Sequence, residues 1–102
     1  MEGEFTSKIY SVAQHIPKGK VATYKQIAKL AGNSKAYRAV GSAMRKNPDT
    51  TVVPCHRVVG SDGSMHGYSG EGGIKTKISK LQSEGVIIKN NKVDLKIFQW
   101  ER

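Results

Sequence analysis

The sequence predicts a mainly α fold: a winged-helix-like helix-turn-helix domain with short β-strands and a C-terminal hairpin. Three observations carry this expectation. Apolar residues recur at helical spacing in three early segments, the first half of the chain is almost free of acids, and an Asn-Asn pair separates two short runs near the C terminus. At 102 residues, with 37% hydrophobic and 25% charged, residues 1–102 are expected to form a single domain around one core. No run approaches the roughly 20 apolar residues of a membrane-crossing helix. No apolar run follows a basic start either, so an intracellular protein is expected.

Phe5, Ile9, Val12, Ala13 and Ile16 recur at helical spacing until Pro17, predicting a helix over 5–16. Pro17-Lys18-Gly19-Lys20 reads as a turn. Thr23-Tyr24-Lys25-Gln26 then fits a capping box, in which the Thr23 hydroxyl and the Gln26 side chain cover free amides at a helix start. Ile27, Leu30 and Ala31 supply the inward face, and Gly32 is a natural end. A short turn, Gly32-Asn33-Ser34, leads into a helix over about 35–46. There Ala36, Val40, Ala43 and Met44 group on one side and Lys35, Arg38, Ser42 and Arg45 on the other. Residues 23–46 thus read as a helix-turn-helix with a basic outer face, or as an ordinary αα-hairpin.

Farther on, Thr51-Val52-Val53 reads as a short strand ended by Pro54. Ser61-Asp62-Gly63 is a turn, and residues 66–73 hold four glycines, a loop whose backbone can approach another molecule closely. Ile74, Ile78 and Leu81 begin a last helix ending at Gly85. Val86–Lys89 and Lys92–Leu95 then flank Asn90-Asn91 as a hairpin.

Charge narrows the function. Seventeen Lys and Arg oppose eight Asp and Glu, a net of +9, and from Phe5 to Pro48 there is no acid at all. A one-signed half of this kind suits nucleic acid. An acidic membrane surface, an acidic protein or plain solubility would also accommodate it, but beside a helix-turn-helix it points to DNA.

Cys55 is the sole thiol, so no internal disulfide forms. A lone cysteine in a small protein is often a buried hydrophobe. Here Pro54 bends the chain, and His56 and Arg57, which resist desolvation, follow at once. Cationic neighbours favour the thiolate, which is the nucleophile. In a regular strand Cys55 and His56 would point to opposite faces, so they cooperate only through a turn or a bridging water. A histidine base also needs a third group to hold its ring, and Glu84 is the candidate. Zinc held by Cys55, His56, His15 and His66 is the competing chemistry, but their spacing matches no zinc signature and no metal is expected. His15 reads as structural or surface.

Pro54-Cys55-His56-Arg57-Val58-Val59 resembles the active-site motif of the O6-alkylguanine-DNA alkyltransferases, the methylated-DNA–protein-cysteine methyltransferases. The Tyr24 segment, Arg38-Ala39-Val40-Gly41, Asn47-Pro48, Tyr68-Ser69-Gly70 and Glu84-Gly85 occur in that family's order and at close to its spacing, together covering roughly residues 5–85. The resemblance implies an active-site segment over about 51–59, a closing loop over about 66–73, and irreversible transfer of an alkyl group from O6-alkylguanine to Cys55. Glu84 would orient His56, with a water relaying to Cys55. Tyr24 would crowd the target phosphate and supply a proton. Arg38 would enter the duplex from the minor groove and fill the space of the extruded base. Ala36, Ala39 and Gly41 would permit close approach, with Lys35 and Arg45 on the same DNA-facing helix.

Asn47 would tie the helix-turn-helix to the active-site segment. Tyr68 and Ser69 would close over the base, and the carbonyls of Cys55 and Val58 would receive its exocyclic amine. The implied protein is a monomer without a cofactor, acting on double-stranded DNA. The resemblance extends to that family's C-terminal domain only. Gly70-Glu71-Gly72-Gly73 lengthens the loop, and Tyr37 is bulkier than the alanine of some relatives. The alkyltransferase-like proteins are the runner-up: they bind the lesion without repairing it and commonly have tryptophan at the acceptor position. Cys55 favours transfer. A transcription regulator with an incidental thiol would leave Tyr68, Ser69 and Glu84 without a purpose.

Overall fold

The computed structural model describes residues 2–65 and 72–101. The chain runs α1 (Glu2–Ala13), β1 (Ala22–Thr23), α2 (Tyr24–Leu30), α3 (Tyr37–Arg45), a 3₁₀ turn (Cys55–Arg57) and β2 (Val58–Val59). It continues through α4 (Gly73–Ser83), β3 (Ile88–Lys89), β4 (Lys92–Val93) and α5 (Leu95–Phe98). This is the mainly helical architecture expected, with helices 1 to 3 packed on one another.

The seven residues of α2 are too few to form a helix unaided, so its ends matter. Thr23 caps it: the Thr23 hydroxyl accepts from the Gln26 amide at 3.0 Å, and the Thr23 amide donates back to Gln26 Oε1 at 3.3 Å. At the other end Asn33 donates to the Ala28 carbonyl and Gly32 to the Lys29 carbonyl, a Schellman closure in which Gly32 takes φ +106°. The connection to α3 is longer than the expected three-residue turn. Asn33 Oδ1 captures the Lys35 amide at 3.1 Å, and α3 begins only at Tyr37 with no side-chain cap. Lys35 therefore lies in the loop, and Ala36 is a half-exposed helix-boundary residue, not part of the inward face.

The expected strand at Thr51–Val53 is a turn. Asp49 takes over its amides: its carbonyl accepts from Val52 and Val53, and its carboxylate accepts from Thr51. The strand forms at Val58–Val59, parallel to β1, with Ala22 opposite Val58 and Thr23 opposite Val59. This pairing stitches the entrance of α2 to the cysteine segment. Asn90 and Asn91 both take left-handed backbone, φ 54° and 60°, making the tight β3–β4 turn. Leu95 belongs to α5 and not to the hairpin, because Asp94 caps a new turn by accepting the Lys96 amide. Gly63 donates to Gly60 and accepts from Val93, with φ +89°; a Cβ there would strike the Val93 carbonyl.

Two apolar clusters share the interior. One joins α1, α2 and α3 to Val53, Cys55 and Val58, and the other joins Val21 and Val59 to Leu81, Val86 and Val93. The C-terminal segment bonds back to the start of the helix-turn-helix. Val21 donates to the Phe98 carbonyl at 2.9 Å, and the Trp100 amide donates to the Val21 carbonyl at 2.7 Å. Gln26 Nε2 donates to the Trp100 carbonyl at 2.6 Å. No helix among the described residues is long and apolar enough to cross a membrane.

Replacing Thr23 by alanine removes the reciprocal cap while leaving the buried face intact, and should cost about 1 kcal/mol of stability in urea denaturation. An unchanged midpoint would show that tertiary packing alone fixes α2.

Candidate functional site: a buried thiol in the turn that carries a histidine–glutamate–arginine network

Asn47, just past α3, has its side chain buried; Nδ2 donates to the Val53 carbonyl at 2.7 Å, and Oδ1 accepts from the Asp49 amide at 3.1 Å. It joins the helical pair to the segment that follows. Pro54 then sits at φ −78° and ψ 70° while the Cys55 amide donates to the Val53 carbonyl at 2.8 Å, an inverse γ-turn. A 3₁₀ turn follows directly, with Arg57 donating to the Pro54 carbonyl and Val58 to that of Cys55. Two tight turns in succession answer the difficulty of the adjacent Cys55 and His56: they are not strand neighbours on opposite faces. Cys55 is enclosed in the helical core at 0% exposure, and His56 turns toward the end of α4.

The C-terminal end of α4 presents Glu84 there. Gly85 donates to the Gln82 carbonyl and Val86 to that of Leu81, a second Schellman closure in which Leu81 and Val86 are both buried. Glu84, at the cap, accepts from His56 Nε2 at 3.0 Å, from Arg57 Nε at 3.0 Å and from Arg57 Nη2 at 2.7 Å. Arg57 also donates Nη1 to the Ile16 carbonyl at 2.9 Å, tying in the residues beyond α1. Burial works against ionisation of Glu84, but the hydrogen bonds from Arg57 and His56 outweigh it and hold the carboxyl at about 2. Burial lowers the pKa of His56, against the pull of Glu84, so the ring is neutral at pH 7. A neutral ring donating Nε2–H to a carboxylate leaves Nδ1 as its basic nitrogen. Nδ1 is buried, with no protein hydrogen-bond partner among the described residues.

Tyr24 opens α2, and its ring lies over Gly41 of α3; a Cβ at Gly41 would stand 3.8 Å from it. Gly41 itself is buried, and that distance is ordinary contact. Burial pushes the Tyr24 phenol up to about 12, with Arg45 opposing and Cys55 adding to the rise. Tyr24 therefore stays protonated across the neutral range. On the outer side of α3, Arg38, Ala39 and Arg45 are exposed, as is Lys35 before it. Tyr37 is also exposed, with Lys25 Nζ 5.7 Å from its ring centre. His15 is exposed, its Nδ1 2.8 Å from the Ser11 carbonyl. Among the described residues no three of His, Cys, Asp and Glu group as metal ligands. Tyr68 and Ser69, with His66 and Glu71, lie outside the described residues.

One site residue was not read from the sequence. Lys77 of α4 is fully buried and donates Nζ to the Val58 carbonyl at 2.6 Å. A lysine in a basic chain reads as a solvated charge. The available signal is its spacing, four residues before Leu81, on the stripe that faces the core.

A helix-turn-helix followed by a buried cysteine, in a turn whose next two residues bond one glutamate, defines a helix-turn-helix protein with a thiol centre. The chain belongs to the 6-O-methylguanine DNA methyltransferase family: the family model of its DNA-binding domain matches residues 4–86. A methylated-DNA–protein-cysteine methyltransferase of Methanosarcina barkeri is 41% identical over 83 residues, 81% of this chain and 52% of that protein. Among solved structures, S. pombe Atl1 in complex with damaged DNA containing O6-carboxymethylguanine superimposes with a TM-score of 0.88 at 34% identity, covering 98% of this chain and 97% of that one. The O6-methylguanine methyltransferase of Mycobacterium tuberculosis superimposes with a TM-score of 0.71 at 40% identity, covering 78% of this chain and 47% of that one. The chain thus spans about half the length of the methyltransferases it matches.

Folding linkage follows from the two lowered groups of the His56–Glu84 pair. His56 and Glu84 both hold fewer protons folded than unfolded. The stability they contribute is therefore present above about 6.5 for His56 and 4.5 for Glu84, and is lost as pH falls, for Glu84 through about 2. Glu84→Gln should remove the Glu84 share of the acid limb below pH 4.5, those of Asp49 and Asp62 remaining, and, by leaving Arg57 half-buried without its carboxylate, cost about 3 kcal/mol at pH 7. Urea midpoints of both proteins between pH 3 and pH 7 check this; parallel curves would contradict it.

Proposed function

We propose that this chain binds double-stranded DNA containing O6-alkylguanine from the minor groove, as a monomer, turns the damaged base out, and transfers its alkyl group irreversibly to Cys55. The observation that carries the reading is the buried Cys55 within the turn that aims His56 and Arg57 at Glu84. Cys55 Sγ forms a bond to the alkyl carbon as the bond from that carbon to O6 breaks. The electron pair goes to the guanine, which takes up one proton. The thiol proton passes through a water to Nδ1 of His56, the nitrogen that Glu84 leaves basic. Tyr24, kept protonated by burial, is suited to supply the proton to the base. The thioether is a dead end, so each molecule acts once and needs no cofactor.

The exposed basic side chains Lys35, Arg38 and Arg45 support sequence-independent phosphate binding, as repair of a lesion in any sequence requires. Arg38 is the side chain assigned to the vacated stack, and Ala36 and Ala39 leave room for the groove walls. Tyr68 and Ser69 would close over the base, with the carbonyls of Cys55 and Val58 taking its amine. A second reading is lesion binding without transfer. It is favoured by the match to Atl1 over nearly the full length of both chains. Cys55, a thiol at the acceptor position, supports transfer.

Incubation with duplex DNA containing O6-methylguanine should add the mass of one methyl group to Cys55, and Cys55→Ser should abolish the adduct while keeping DNA affinity. Tight lesion binding by the unsubstituted chain with no mass gain would establish the second reading instead. Arg38→Ala should slow transfer from duplex more than from the free base; equal losses would remove Arg38 from base extrusion.

A further inference from the structure

We propose that Lys77 is the positioning cation of the thiol centre, its ammonium balancing the Cys55 thiolate inside the core and holding the Val58 carbonyl at the end of the same turn. This deepens the proposed function and rests on it for the identity of the reaction. The geometry starts from burial. Lys77 is at 0% exposure on the inward face of α4, which packs against the 3₁₀ turn that carries Cys55. Its Nζ bonds the Val58 carbonyl at 2.6 Å, and the Val58 amide in turn bonds the Cys55 carbonyl. Lysine and cysteine are thus fastened to the two ends of one turn.

The charges agree. A charge on Cys55 would be felt by Tyr10 of α1, Tyr24 of α2 and Lys77 of α4, and of these Lys77 is the one that becomes cationic. His56, in the same turn, is kept neutral by burial, and Arg57 is committed to Glu84. Burial brings the Lys77 pKa down to about 7, with the Cys55 charge pulling it back up. An ammonium in that place lowers the cost of forming a thiolate away from water. A carbonyl oxygen has two lone pairs, so the Lys77 bond leaves Val58 able to accept the amine of an incoming base. Lysine here steadies both the attacking atom and the base it attacks.

The coupling is reciprocal and can be read without DNA. In the chain carrying ¹³C-labelled lysine, the Lys77 resonance should titrate near pH 7 and shift to lower pH in Cys55→Ala, which removes the attracting charge. An unmoved titration overturns the proposal, even if alkyl transfer is established. Coupling without any alkyl transfer would sink the proposed function alone. Lys77→Met, close in volume and free of a buried charge, should remain folded yet transfer methyl about tenfold more slowly at pH 7, with its rate profile displaced to higher pH. Lys77→Arg should restore part of both. A residue serving only packing would change the melting temperature and leave the profile in place. Should Lys77→Met fail to fold, the titration in Cys55→Ala decides.

Discussion

Glu84 places a negative charge at the C-terminal end of α4, where the helix dipole disfavours it, and the paired hydrogen bonds of Arg57 hold it there. Much of the site depends on that placement. The carboxylate selects which nitrogen of His56 carries hydrogen, and so which one is basic. It occupies Arg57, whose remaining nitrogen reaches back to Ile16 and draws the first helical segment onto the reactive turn. The Schellman closure at Gly85 fixes where the carboxylate emerges. A carboxylate this well bonded repays its desolvation through directed hydrogen bonds, whereas a solitary one would be protonated.

The helical pair and the reactive turn are built as one piece. Asn47 reaches across from the end of α3, the β1–β2 pairing joins the start of α2 to the residues after Cys55, and Tyr24 lies between the two on Gly41. A movement of α3 would therefore be felt at Cys55 through rigid links. Cys55, ten positions past that helix, is thus part of the same framework.

Local signals were legible in the sequence. The Thr23–Gln26 box and the Asn90-Asn91 turn involve neighbours whose backbone needs are met within a few residues, and both formed as read. Gly32 and Gly85 stop helices by the same short-range rule. Non-local competition was not legible. Thr51–Val53 has the composition of a strand, but its amides are taken by Asp49 and its last carbonyl by Asn47. The parallel partner of β1 lies more than thirty residues away, and nothing in Ala22-Thr23 announces it. At the site, the pairing of His56 with Glu84 was legible because a histidine base needs a group to hold its ring. Lys77 was missed because its charge argues for solvent while its spacing argues for the core, and packing prevailed.

The bonds among Val21, Gln26, Phe98 and Trp100 join the start of the helix-turn-helix to nearly the last residues of the chain. Segments more than seventy residues apart must meet before β1 is held on that side. Loop closure of that span precedes any reward from the contacts it enables, which slows folding. On a ribosome the order is stricter still: α2 and α3 emerge long before the tail that clamps them. Until the tail is made, the helical pair lacks the bonds that hold Val21 and Gln26 on that side.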